Sequence, residues 1–274
     1  MDRRNFLKTG GIALLGSLAT GSAMALTTPG ALGGEGADKK AAVALAMNHF
    51  GVSEADLKKV LAAALEKGGD YADLFFEHTI SNSIRLMDGA VNNSYSNIDY
   101  GVGVRVLTGD QSGYAYVENI TVEDMLKAAR TAARIASANK GNKPLNLTEK
   151  ELKKNYYTVA SPWEEVSLKD KMPYLQKLND RIFALDKRVH KVQASQSDTT
   201  SHIFFCNSEG VMFYDYRPMV TLGAVCIMEE DGKTENGYAA RAYRRGFDFL
   251  SDEVVDVIAR EAVDQTSLPV SYTH

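Results

Sequence analysis

Five histidines, two cysteines and scattered carboxylates are the side chains of this 274-residue chain that could hold a metal or move a proton. His49, His78, His190, His202 and His274 stand far apart, with no i, i+4 pair and no helical His-Glu-x-x-His, the spacing that turns two imidazoles toward one zinc ion. Glu77-His78 falls in a strand-like run and reads as a surface or packed pair. Cys206 and Cys226 also lie in strand-like runs and read as buried free thiols, since two cysteines make no disulfide framework. No Ser, Cys or Thr sits in a nucleophile elbow. Gly232-Lys233-Thr234 lacks the upstream glycine of a phosphate loop, because Ile227 stands there. GVGV at 101–104 lies inside a strand with no helix directly after it, so it is no dinucleotide fingerprint. Its bare positions would instead let a backbone approach the sheet closely, either from this chain or from a peptide lying along it. Arg241, Arg244 and Arg245 with Phe247 and Phe249 are candidates to line a groove for an extended chain carrying a carboxylate; the competing reading places the aromatics in the core. On residue chemistry alone, no catalytic residue and no metal ligand is assigned, and the substrate-binding residues stay unknown.

The elements that would position these residues are legible. AAVALAMNHF and SEADLKKVLAAALEKGG predict two helical stretches, the second capped by Ser53 and stopped at Gly68-Gly69. YADLFFEHTISNSIRLMDG predicts one long strand or a pair, with Asp88-Gly89 as a turn. In NIDYGVGVRVLTGDQSGYAYV, Val102, Val104 and Val106 share one face and Gly101, Gly103 and Arg105 the other, with Ala115 and Val117 returning after a hairpin. Thr121 then caps an Ala-rich helix. Residues 141–165 are polar, Lys-rich and broken by Pro144 and Pro162, and read as a linker. A second lobe repeats the logic: a helix with an awkward Pro173, strands turning at Asn207–Gly210 and Asp231-Gly232, then SDEVVDVIAREAVDQ, capped by Ser251 with Val254, Val257, Ile258 and Val263 as its apolar stripe. The expected fold class is α+β, in two lobes that are each an antiparallel sheet with packed helices. The lobes span 41–140 and 166–266.

A charged fraction of 24% and a net charge of −4 describe an ordinary, mildly acidic globular body, which argues against nucleic acid as the main partner. The N-terminus is more specific. Arg3 and Arg4, followed by Phe6, Leu7 and Lys8, a short apolar run and Ala23-Met24-Ala25, predict a twin-arginine-type signal over 1–26, cleaved after Ala23-x-Ala25. A flexible Gly-rich leader, 27–40, follows. The expected location is exported and periplasmic, with no stable membrane anchor after cleavage.

With these features in place, the chain resembles the TldD/PmbA family of zinc metallopeptidases over 53–265. The match runs through GGDYADL, the strand ending at Asp88-Gly89, GVGVRVL with its TGDQSGYAY return, GVMFYDYRP, EEDGKTENG and RRGFDFL. The resemblance implies a zinc helix with His-Glu-x-x-x-His shortly after a helix like SDEVVDVIAREAVDQ. No residue of this chain matches those ligands, so none is carried over. It further implies an unfolded peptide as substrate, zinc as cofactor of the full-length protein, and a homodimer or a heterodimer with a family homologue. The expectation is therefore an N-terminal portion that is inactive alone. The alternatives are a non-catalytic partner subunit and an independent exported peptide-binding module. The last residues, TSLPVSYTH, are expected to leave the family pattern after Gln265, with 267–274 a non-native tail that reads as translated sequencing-adapter DNA.

Overall fold

The computed structural model describes residues 39–136, 148–149 and 159–272. Its helices are α1 (Lys39–Phe50), α2 (Glu54–Leu65), α3 (Val122–Ile135), α4 (Leu168–Leu185) and α5 (Asp252–Tyr272). Its strands are β1 (Tyr71–Met87), β2 (Ala90–Thr108), β3 (Gln111–Val117), β4 (Thr148–Glu149), β5 (Val189–Asn207), β6 (Val211–Glu230) and β7 (Lys233–Tyr243). The fold is α+β, as the sequence predicts. The export residues Arg3, Arg4, Phe6, Leu7 and Lys8, and the cleavage residues Ala23 and Ala25, lie outside the described residues, as do most of the linker and His274. The expected leader overlaps the structure at its end, where Lys39 and Lys40 open α1.

Local chemistry sets the element boundaries. Ser53 and Asp56 form a reciprocal capping box on α2, and the Thr121 hydroxyl accepts from the Asp124 backbone N–H on α3. Asp88-Gly89 and Asp231-Gly232 turn with φ of 50° and 78°, and of 51° and 73°. These left-handed pairs match the twist of antiparallel strands, so β1 and β2, and likewise β6 and β7, are joined by two-residue hairpins. Strand β2 is longer than predicted, beginning at Ala90, because it follows β1 along its whole length from Met87↔Ala90 to Tyr71↔Leu107.

The two lobes share one sheet. Its order is β3-β2-β1-β5-β6, with β7 on the outer side of β6 and the short β4 also pairing β6, in parallel. β1 and β5 pair antiparallel from Asp73↔Asn207 to Met87↔Gln193, so the lobe sheets merge edge to edge. Each half is a helix, a three-stranded meander and a second helix. Helices α2 and α3 pack together over one half, and α4 and α5 over the other. Two separate cores form, each drawing on strands of both halves. One gathers Leu57, Leu74, Phe76, Val104, Met125 and Phe204; the other gathers Leu86, Trp163, Leu178, Leu222, Val255 and Ile258. Trp163 shows that the end of the predicted linker is core: it is 2% exposed and its indole N–H donates to the Arg245 carbonyl at 2.8 Å.

The buried stripe of α5 is Val255, Ile258, Ala259, Ala262 and Val263, shifted from the predicted one, since Val254 and Val257 are only partly covered. The helix also continues past Gln265. Thr266 and Ser267 donate to the carbonyls of Ala262 and Val263, and Thr266 is fully buried. Both terminal helices sit tight on a glycine of an edge strand. A Cβ on Gly113 would lie 2.0 Å from the Ala132 carbonyl oxygen, and one on Gly237 would lie 2.6 Å from Thr266 Oγ1 and 2.7 Å from its backbone nitrogen. Gly113→Ala and Gly237→Ala are each expected to destabilise the fold by about 1–3 kcal/mol, the cost of overpacking a filled contact. Equilibrium urea unfolding checks this; a Gly237→Ala variant as stable as the parent would mean that α5 does not lie this close.

Candidate functional site

Between the two cores the helix-covered face of the sheet turns polar. Along β5 this face reads Val192, Ala194, Gln196, Asp198, Thr200, His202, Phe204 and Cys206, all buried. Apolar ends thus flank four polar positions at its middle. The same happens on β1, where His78 and Asn82 lie between Phe76 and Ile84. Strand register aligns four rings in one row, Tyr100–His78–His202–Tyr216, across β2, β1, β5 and β6. Neighbouring ring centroids in this row are 5.3, 5.9 and 5.3 Å apart. Helix α1 lays His49 on top, 4.6 Å from the His202 ring and 5.0 Å from that of His78.

Hydrogen bonds join these rings in two groups. His49 Nε2 and His78 Nδ1 are 2.8 Å apart. His202 uses both nitrogens, Nδ1 at 2.7 Å from the Tyr214 hydroxyl and Nε2 at 3.1 Å from Glu164 Oε1. The other Glu164 oxygen accepts from Tyr216 at 3.0 Å and from Thr200 at 3.3 Å. Burial first, then the charges of His202 and His78, pull His49 down to about 4. Burial and then His202 lower His78. Burial alone would raise the Glu164 carboxyl, but hydrogen bonds from His202, its own backbone and Tyr216 outweigh it and hold that carboxyl below the ordinary range. Burial and then Glu164 push the Tyr214 and Tyr216 phenols up.

Beside this row lies a buried ion pair. Lys171 Nζ, on α4, donates to Asp198 Oδ2 at 2.5 Å, with side chains 4% and 0% exposed. Gln196 donates to the same oxygen and Asn82 to Oδ1, both at 2.9 Å. The Lys171 ammonium also stands 5.3 Å from the Trp163 ring centroid. Every Asp198 oxygen is therefore occupied, while Gln196 Oε1 is buried without a partner.

Residues 161–268 match the PmbA/TldA metallopeptidase central domain, and residues 72–136 match PmbA/TldA metallopeptidase domain 1. The chain belongs to the PmbA/TldD family. It is 32% identical over 212 residues to the Metalloprotease TldD homolog of Haemophilus influenzae, covering 74% of this chain and 43% of that protein. Among solved structures, it resembles a proposed modulator of a DNA gyrase from Thermotoga maritima MSB8 (TM-score 0.61, 19% identity, 78% of this chain and 48% of that one). It also resembles TldE from Thermococcus kodakarensis (TM-score 0.58, 16% identity, 77% and 47%). At these identities the solved structures speak for the fold alone. The chain spans less than half the length of each of these relatives. The central-domain match also runs to residue 268, three positions beyond the predicted break at Gln265.

The metal implied by this family does not fit the described residues. An imidazole binds a metal in its ring plane, along the nitrogen lone pair. Here His49 and His202 stack with planes 23° apart, so their lone pairs run side by side instead of meeting at one point. Both His202 nitrogens are already hydrogen-bonded. Among the described residues, no group of three or more His, Cys, Asp or Glu is placed to hold an ion. His190 stands apart, facing Glu229 at 3.7 Å. Both cysteines are free and buried, at opposite ends of the β5–β6 pair.

The predicted arginine groove does not form. Arg241 pairs with Glu261 and Arg245 with Asp248, both at 2.5 Å. Phe249 is 3% exposed and Phe247 packs edge-on against Trp163 and Tyr174, so the aromatics belong to the core, as the competing reading has it. The histidine row is what sequence reasoning missed. Each histidine is isolated in the chain, and only the β1–β5 register and the packing of α1 bring His49, His78 and His202 together; the one local signal is a run of polar residues, QSDTTSH, inside a strand otherwise apolar on one face.

If the ion pair is as closed as its geometry indicates, Asp198→Ala will strand the Lys171 charge and cost about 3–5 kcal/mol, whereas Lys171→Met combined with Asp198→Leu will recover most of that loss. Urea unfolding of both variants decides it; equal losses in the two would refute the assignment.

Proposed function

We propose that this chain forms the non-metal body of an exported TldD-like metallopeptidase that processes unfolded peptides. The observation that carries this reading is the ordered match to domain 1 and the central domain of the family, on a chain whose described residues converge on no ion. The relative from Haemophilus influenzae is named a metalloprotease, and more than half of its length lies outside the match. The zinc and the residues that bind it are therefore assigned to the family's remaining portion, and pairing with a second family member to the whole protein. An open sheet with long strands and a helix-covered back suits a lobe that walls a chamber for an extended chain.

The export proposal rests on Arg3, Arg4, Phe6, Leu7 and Lys8 ahead of Ala23 and Ala25. A reporter fused behind residues 1–26 is expected to reach the periplasm, and replacing both arginines by lysine is expected to retain it in the cytoplasm; export unaffected by that change would refute the twin-arginine assignment. The purified chain alone is expected neither to retain zinc after dialysis nor to hydrolyse an unfolded peptide. Zinc-dependent hydrolysis by the chain on its own would overturn the reading.

A further inference from the structure

We propose that the His49–His78–His202 stack is an acid-sensitive clasp, which holds α1 across the joint between the two half-sheets when neutral and releases it when charged. Helix α1 precedes the first half in sequence, yet it packs on β5 and β6 of the second. Its rings also reach both sides of the joint, His49 on His78 and His202 and Phe50 on Phe76 and Phe204, and His49 is its polar contact there.

The geometry of the contact makes it sensitive to protons. His49 Nε2 and His78 Nδ1 are 2.8 Å apart, so one nitrogen must carry a hydrogen and the other must offer a lone pair. That bond exists only while at least one of the two rings is neutral. When both are charged, N–H faces N–H. A charged His202, stacked 4.6 Å from His49, adds to the repulsion.

The surroundings supply little to offset it. Around the stack stand Tyr100 from β2, Tyr214 and Tyr216 from β6, and Glu164 from the short 3-10 turn Trp163–Glu165. The three phenols carry no charge in acid. Glu164 is the counter-charge, and its two oxygens are already committed to His202, Tyr216 and Thr200.

The direction of the effect follows from the protons bound in each state. On the docked helix His49 is depressed to about 4, and on a released helix it returns to the ordinary 6.5. Above 6.5 both states are neutral, and docking is at full strength. Between 6.5 and about 4 the released state binds more protons, so docking weakens as the pH falls. Its apolar anchors, Val43, Ala46 and Phe50, are buried in the first core, Phe50 against Phe76 and Phe204, so release would bare an aromatic patch there while leaving the α4–α5 layer intact.

Hydrogen exchange of the intact chain at about pH 7 and about pH 5, corrected for the intrinsic pH dependence of exchange, tests the clasp. The α1 amides are expected to lose about tenfold in protection at the lower pH, the order expected for one displaced imidazole titration, while α3 and α5 keep theirs. His49→Phe retains a ring to pack but no proton to gain, and should hold α1 equally at both pH values. If that variant does not fold, His49→Gln, a neutral amide that can still meet His78 Nδ1 but gains no proton, serves in its place. The proposal is overturned if α1 protection does not change, if all helices lose protection together, or if the variant loses α1 protection as the parent does.

Discussion

The antiparallel pairing of β1 with β5 is the constraint on which the rest of this structure depends. Each half, taken alone, is a meander with two helices and an edge strand, and an exposed edge of that length invites association. Joining the halves along β1 and β5 removes both edges at once. It also fixes what lies between the cores. Helices α2 and α3 pack in one core and α4 and α5 in the other, so the middle of the joint lies between the two, where Lys171 of α4 and His49 of α1 reach it. The residues that fill it are polar, and they come from both sides of the joint.

A polar belt in that position has to be satisfied from within, because a buried unpaired group costs more than a hydrogen bond returns. The chain meets this demand with two different devices. Near α4, Lys171 closes on Asp198, and Asn82 and Gln196 complete the carboxylate shell. Near α1, stacked rings meet it in two hydrogen-bonded groups, His49 with His78, and His202 with Tyr214 and Glu164. The first is a fixed charge pair. The second depends on which nitrogens hold protons.

Much of the fold was legible because its determinants are local. Capping serines and threonines, Asp-Gly turns and the alternation of Val102, Val104 and Val106 act within a few residues, and each predicts the element found. What could not be read locally was assembly. Two lobes with separate sheets and one continuous sheet call for the same strands, and differ only in whether β1 meets β5. The α5 stripe was misplaced for a related reason. Val254 and Val257 fit the helical period as well as Val255 and Ala259, and only the tight seat of Ala262 and Thr266 on Gly237 selects between them. The arginine groove failed because Glu261 and Asp248, remote or unremarkable in sequence, neutralise its side chains. The histidine row was invisible for want of register.

Register is also where the belt has a structural consequence. A one-residue slip of β5 against β1 would turn every core side chain outward, and the alternating pattern forbids it. A two-residue slip keeps all faces correct, so alternation cannot oppose it. The belt can. With His202 opposite Phe76 instead of His78, and Asp198 opposite Ile80 instead of Asn82, the ring ladder would break and the carboxylate would lose a donor inside the sheet. A wholly apolar joint would tolerate that shift and slide its two half-sheets past each other by about 7 Å, the rise of two strand residues. Polar residues at the centre of the joint thus penalise the one misalignment that hydrophobic patterning permits, and the same residues that hold the register place His49, His78 and His202 within reach of one another.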